Sequence, residues 1–140
     1  MIQIPVLYND TYDINVPEGH RFNGTKFSKL VGQLKQSDFN QRLHFYHSSP
    51  VRYRDVLRTH ATDYVQRVVQ QTLSKEEVRQ INLPIDSQLV KRSFLALNGT
   101  LTTALKALEE GVGCHAAGGT HHAHFSNGLG FCVFNDLAFT

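Results

Sequence analysis

The stretch that decides the fold is residues 118–136, which run GGTHHAHFSNGLGFCVFND. Four of the eight histidines of the chain lie at positions 115–124, and six of its ten glycines lie at positions 111–130. Glycine permits positive φ and close backbone approach, and histidine, whose ordinary pKa is about 6.5, gains and loses a proton near neutral pH. The pair His121–His122 in this glycine-rich loop therefore predicts a site of acid–base chemistry, with a polar surface loop as the alternative.

A metal ion bound directly by this segment is a second hypothesis. The candidate ligands are His115, His121, His122 and His124, together with Cys114 or Cys132. They could supply four ligands for zinc, but their spacing fits no standard cysteine–histidine pattern. Because adjacent side chains of an extended loop point in opposite directions, His121 and His122 are expected to flank a reacting group rather than to chelate one ion.

Around this loop, predicted strands alternate with predicted helices, a pattern typical of an α/β fold with parallel strands. The predicted strands are residues 4–8, 44–47 and 112–116. The predicted helices are residues 26–36, 51–57, 63–71 and 86–110, with others beginning at a capping box of Ser74 and Glu77 and at Asn135 or Asp136. Because about five or six strands are usual in such a sheet, the chain is expected to form the front part of a larger domain.

The longest predicted helix, residues 86–110, carries an apolar stripe in which large side chains recur every three or four residues. The stripe consists of Val90, Phe94, Leu97, Leu101, Leu105 and Leu108. Asp86 or Ser87 is expected to cap the start of this helix and Gly111 its end. Gly99 interrupts it at a cost of about 1 kcal/mol relative to alanine, so we expect a neighbouring element to approach closely there.

Composition excludes several classes of protein. Hydrophobic residues make up 41% and charged residues 19% of the 140 residues, which is enough to bury a core in one modest domain. A net charge of +2 lacks the basic face of a dedicated nucleic-acid binder. No apolar run approaches the roughly 18 residues of a membrane span, and the start does not resemble a signal peptide. Two cysteines are too few for a disulfide scaffold, so a cytoplasmic location is expected, or a nuclear one in a eukaryote.

Residues 118–136 closely resemble the signature of the histone deacetylase superfamily, and they are most similar to its class IV and bacterial members. The supporting segments are Pro17-Glu18-Gly19-His20-Arg21-Phe22 with Lys26, His60 with Asp63-Tyr64-Val65, and Gly99-Thr100 with Ala104 and Leu108. The resemblance covers essentially all 140 residues in order. It implies a three-layer α/β/α fold of the arginase/deacetylase type with a parallel sheet, of which residues 1–140 would be the amino-terminal part.

The resemblance also implies a reaction, the zinc-dependent hydrolysis of an acylated lysine or a related acylated amine. His122 would be the general base that takes a proton from the attacking water and later gives one to the leaving amine. His121 would assist it electrostatically.

Two further pairs of residues receive roles from the same resemblance. Gly130 and Phe131 would line the tunnel for the acyl-lysine, with the Gly130 carbonyl accepting the substrate amide N–H. Cys132 would lie near an internal cavity beneath the metal, and Arg21 would control access to that cavity.

The chain departs from the family at Val16, Asn23 and Asn98, where relatives carry histidine, proline and glycine. The zinc ligands of the family and its carbonyl-polarising tyrosine are expected beyond Thr140, so no residue of this chain is predicted to bind the zinc. We therefore expect the isolated chain to be inactive, and its unpaired sheet edge to favour self-association. The alternatives are a non-catalytic, truncated binding module and the local histidine–cysteine metal site.

Overall fold

In a computed structural model, which describes residues 3–140, the chain is built around a small parallel sheet. Its strands are β1 (Ile4–Tyr8), β2 (Leu43–His47) and β3 (Cys114–His115). β1 is the central strand and pairs in parallel with both neighbours, with Val6 opposite both Phe45 and Cys114. The predicted α/β class with parallel strands is confirmed, although β3 is shorter than the predicted strand 112–116.

Helices connect these strands. They are α1 (Lys26–Gln36), α2 (Tyr53–Val56), α3 (Thr62–Gln70), α4 (Lys75–Ile81), α5 (Ser87–Glu110) and α6 (Asp136–Phe139), with one 3-10 turn at Asn40–Arg42. Ser74 and Glu77 form the predicted capping box of α4, Asp86 caps α5, and Gly111 ends α5 with a φ of 85°. The helix α2 covers only part of the predicted 51–57. Within residues 3–140, no helix combines the length and the apolarity that crossing a membrane requires.

The helix α5 packs on β1 and β3 with a face that matches the predicted stripe only in part: Leu97 is buried, and Val90 and Phe94 pack against the core. Its buried residues are Leu89, Arg92, Ser93, Leu95, Ala96, Leu97 and Gly99. By contrast, Leu105 and Leu108, at the end of the stripe, are 52% and 84% exposed. A Cβ on Gly99 would overlap the His115 ring of β3, so the expected close approach at this glycine is confirmed.

The segment that follows the histidine loop is anchored on α3 and α4. The fully buried Tyr64 of α3 donates from its hydroxyl to the Val133 carbonyl at 2.8 Å. A Cβ on Gly128 would lie 2.7 Å from that hydroxyl and 2.6 Å from the Ile81 side chain of α4. The chain on the far side of the loop is therefore packed tightly enough to hold the site residues that follow.

Candidate active site

The side chains of His121 and His122 lie next to each other in the loop that follows β3. Their ring centroids are 4.1 Å apart with planes inclined by 40°, and both rings line one cavity. The prediction that they point in opposite directions is wrong, because the two rings lie side by side. Gly119 has a φ of 100°, and its carbonyl lies 2.8 Å from His121 Nδ1. Two imidazoles therefore face the same space, as an acid–base site requires.

A tight turn from Leu129 to Cys132 lies beneath His122. These two end residues exchange backbone hydrogen bonds of 3.0 Å in both directions. The central residues Gly130 and Phe131 have φ values of 54° and 66°, and a type I′ turn requires positive φ at both central positions. The N–H of Phe131 donates to a carbonyl of α4 at 2.8 Å and holds this conformation. The His122 ring lies directly over Gly130, 3.6 Å from where a Cβ would be.

A cavity of about 200 Å³ opens in front of the two imidazoles. Five of the six predicted site residues line it, namely His121, His122, Gly130, Phe131 and Cys132. Phe22 and Lys26 also line it; the Lys26 ammonium lies 4.4 Å from the Phe22 ring centroid, and Phe131 packs on Phe22 at 5.3 Å. A larger groove of about 660 Å³ beside α2 contains none of the predicted site residues. The smaller cavity joins aromatic walls to two proton-transfer groups, so it is the candidate active site.

The buried cation that lines this cavity is Arg92. It is 4% exposed and donates from Nε to the Tyr12 carbonyl at 3.0 Å, and burial lowers the pKa of its guanidinium to about 10. Arg21 is exposed and does not line the cavity, so its role at an internal cavity stays a prediction. Cys132 is buried against the cavity, and this burial raises the pKa of its thiol, which favours the neutral form.

A partly buried chain of hydrogen bonds runs from the sheet to the histidine loop. The Tyr12 hydroxyl lies 2.8 Å from His115 Nε2, and His115 Nδ1 lies 3.0 Å from Thr100 Oγ1. Thr100 in turn donates to Asp136 Oδ2 at 2.6 Å. Because Thr100 donates its only proton to Asp136, His115 must carry its proton on Nδ1 and accept from Tyr12 at Nε2. Burial lowers the pKa of His115 to about 4, so the ring is neutral at physiological pH.

Three of these residues were not predicted as parts of the site: Tyr12, Arg92 and Asp136. Asp136 was considered as a helix cap and as the last residue of the segment 118–136 that carries the resemblance. A charged residue on a helix usually faces solvent, so the sequence does not predict that Arg92 is buried. Its position between Leu89 and Ala96 is the one local feature that agrees with burial. Asp136 contacts Thr100, 36 positions earlier in the chain, and Tyr12 contacts His115, 103 positions later. Such long-range contacts leave no spacing pattern in a single sequence.

The geometry does not support the local metal site. Within residues 3–140, no group of three or more His, Cys, Asp and Glu side chains is placed to hold a metal ion. Both ring nitrogens of His115 already have hydrogen-bond partners, Cys114 is exposed and Cys132 is buried. The zinc that the resemblance implies therefore finds no ligand set in the described part of the chain.

Comparison with known proteins gives the class to which this fold and histidine loop belong. Residues 20–140 match the family model of the histone deacetylase domain. An uncharacterized protein of Picosynechococcus is 40% identical over 96% of this chain and 45% of its own length. The acetoin utilization protein AcuC of Staphylococcus xylosus is 29% identical over 96% of this chain and 38% of its own length. A probable deacetylase of Methanothermobacter thermautotrophicus is 25% identical over 95% of this chain and 40% of its own length.

Solved structures agree on the fold. The HD domain of HDA15 superimposes with a TM-score of 0.78 at 16% identity, covering 99% of this chain and 41% of that domain structure. A histone deacetylase homolog from Aquifex aeolicus superimposes with a TM-score of 0.69 at 22% identity, covering 99% and 40%. The chain belongs to the histone deacetylase domain family and has its α/β fold, as the sequence predicts. It spans between 38% and 45% of the length of the curated relatives named above.

Proposed function

We propose that this chain is the amino-terminal part of a zinc-dependent deacylase that hydrolyses acyl-lysine amides or related acylated amines. The observation that carries the proposal is the pair His121–His122, with rings 4.1 Å apart beside a cavity of about 200 Å³. Membership of the histone deacetylase domain family and a relative named as a probable deacetylase support it. The activity is proposed for the whole protein, because the chain spans less than half of its curated relatives.

In the proposed reaction, His122 acts first as a general base and then as a general acid. Its imidazole removes a proton from the attacking water and later delivers a proton to the leaving amine nitrogen. His121, held by the contact of its Nδ1 with the Gly119 carbonyl at 2.8 Å, assists electrostatically. The zinc would be held by residues outside the described part of the chain, as the resemblance implies.

The turn beneath His122 supplies the proposed substrate contacts. The Gly130 carbonyl would accept the substrate amide N–H; its contact with Cys132 Sγ at 3.5 Å is a weak one and leaves a lone pair free. Phe131 packs against Phe22, and this aromatic wall would contact the aliphatic stem of the acylated lysine. The same turn would therefore orient the amide bond next to the general base.

The test of the catalytic role is His122→Ala in the full-length protein. Loss of a general base should lower kcat by about 10²–10⁴-fold, while the zinc content stays unchanged. The matched control is His124→Ala, since His124 is exposed in the same loop and does not line the cavity; it should keep near-normal turnover. Near-normal turnover in His122→Ala would remove this residue from the mechanism.

A second experiment separates the proposal from its alternatives. Purified residues 1–140 should show neither stoichiometric zinc nor acyl-lysine hydrolysis, and robust metal-dependent activity would contradict this. A reading frame that continues past Thr140 with an Asp-x-His motif one strand later favours the deacylase, whereas a stop codon favours a short binding module.

The exposed edge of β3 suggests how the isolated chain would behave. Among the described residues, β3 has a strand partner only on its β1 side. Unpaired edges promote association between chains, so we expect residues 1–140 to self-associate. Size-exclusion chromatography with light scattering would show a mass above the 15.8 kDa of one chain, and a monodisperse monomer would contradict the expectation.

A further inference from the structure

The Asn135 side chain forms hydrogen bonds with the backbone on both sides of His122. Its Nδ2 donates to the His121 carbonyl at 3.2 Å and to the Ala123 carbonyl at 2.9 Å. Its Oδ1 accepts from the Ala138 N–H at 3.0 Å and caps α6. One amide side chain therefore joins the start of α6 to the loop that carries the two imidazoles.

Asp136 forms hydrogen bonds with the same loop at the residues that precede His121. Its Oδ2 accepts the Gly119 N–H at 3.0 Å, and its own N–H donates to the Thr120 carbonyl at 3.0 Å. Because Asn135 already caps α6, the Asp136 carboxylate is not needed for that purpose. What the carboxylate does contact, Gly119 and Thr100, ties the loop to α5.

The burial of the Asp136 carboxylate lowers the stability of the folded protein. The residue is 0% exposed, and its Oδ1 has no hydrogen-bond partner among residues 3–140. A buried carboxylate oxygen without a partner destabilises the folded state, and an asparagine would satisfy the Gly119 and Thr100 contacts with one oxygen. The presence of a carboxylate rather than a smaller or apolar residue indicates a contribution beyond packing.

We infer that Asp136 is a positioning residue of the deacylase, whose carboxylate holds the Gly119 backbone and through it the imidazole pair in the geometry for proton transfer. Asp136 does not line the cavity and acts through Gly119, whose carbonyl contacts His121 Nδ1 at 2.8 Å. The inference rests on the proposed function, because it assigns the reaction for which the imidazoles are positioned.

The test compares Asp136→Ala with Asp136→Asn in the full-length protein. The asparagine keeps an oxygen for Gly119 and Thr100 and exchanges one unpartnered polar atom, Oδ1, for another, whereas the alanine removes both contacts and should lower stability. Only the alanine removes the anchor, and displacing a catalytic group by about 1 Å can cost about 100-fold in rate. We expect Asp136→Ala to lower kcat by about 10- to 100-fold with little change in KM, and Asp136→Asn to retain kcat within about threefold.

The matched control is Asp38→Ala, an exposed carboxylate after α1, which should leave kcat and KM unchanged. Equal kcat values for the alanine and asparagine variants, whether both normal or both reduced, would overturn the inference. If Asp136→Ala does not fold, Asn135→Ala takes its place. It removes the two side-chain contacts on the same loop together with the α6 cap, and should show the same fall in kcat; a normal kcat in this variant would overturn the inference.

A readout that does not depend on activity separates this inference from the proposed function. In the full-length protein labelled with ¹⁵N and ¹³C, the protons of the His121 and His122 rings should show a nuclear Overhauser effect, because the ring centroids are 4.1 Å apart. The effect should persist in Asp136→Asn and weaken in Asp136→Ala. If the full-length protein hydrolyses no acylated lysine or amine, the proposed function fails; an unchanged ring contact in Asp136→Ala overturns the positioning role whatever the activity.

Discussion

Replacement of Gly99 by alanine should destabilise the protein, although alanine is the better helix former by about 1 kcal/mol. The new Cβ would overlap the His115 ring and lie 2.6 Å from the Tyr12 hydroxyl. The 2.8 Å hydrogen bond between Tyr12 and His115 would then break, or the ring would move. Overpacking costs about 1–3 kcal/mol, and a buried polar group without its partner costs about 1–3 kcal/mol. After subtraction of the helix gain, we expect a net loss of about 3 kcal/mol.

The matched control is Gly32 in α1, where an added Cβ would meet no atom of the described residues within 4 Å. Gly32→Ala should therefore raise the free energy of unfolding by about 1 kcal/mol, so the two substitutions have opposite signs. Urea unfolding followed by far-UV circular dichroism measures both, since the chain has no tryptophan for fluorescence. If Gly99→Ala were as stabilising as Gly32→Ala, the close packing of α5 on β3 would be refuted.

Three other perturbations follow from the same contacts. The folded-state pKa of His115 is about 4 against an ordinary 6.5, so protonation favours the unfolded chain. The contribution of neutral His115 to the free energy of unfolding is therefore nearly complete at pH 7 and falls by about 2 kcal/mol between pH 7 and 5. Burial also lowers the pKa of His60, which acts in the same direction. A urea midpoint that stays constant between pH 7 and 5 would contradict this prediction. Ser74→Ala removes the acceptor of a 3.2 Å hydrogen bond in the capping box and should lower the free energy of unfolding by about 1 kcal/mol, and an unchanged midpoint would show that the cap is not formed. Gly130→Ala puts a side chain at a φ of 54° against the His122 ring, which should destabilise by about 1–2 kcal/mol and lower kcat/KM in the full-length protein; wild-type values for both would count against the turn geometry.

The features predicted best from the sequence depend on contacts between residues a few positions apart. The Ser74–Glu77 box, the Asp86 cap and the glycine end at Gly111 all appear as predicted. Each is decided within one turn of helix, where the interacting groups have little choice of partner. Elements whose ends are decided by distant packing, such as β3 and α2, are shorter than predicted.

The apolar stripe of α5 shows why periodicity alone does not decide which face is buried. Leu105 and Leu108 belong to the stripe and are exposed, whereas Arg92 and Ser93 lie outside it and are buried. The sheet approaches α5 at Gly99, where only a residue without a side chain leaves room for the His115 ring. The face buried around this close approach therefore mixes leucines with small and polar residues, whereas Leu105 and Leu108 at the carboxyl end of α5 face outward.

The histidine pair shows the same division between residue identity and geometry. The resemblance predicts His121 and His122 as the site, but the expectation of opposed side chains assumes an extended backbone. The real backbone direction depends on hydrogen bonds from Asn135 and Asp136, which lie 12 to 17 positions beyond the carbonyls and N–H that they contact. Asp136 is in turn held by Thr100, 36 positions earlier. Because residues that perform no chemistry decide where the imidazoles point, substitutions at these anchors should affect turnover more than their distance from the substrate suggests.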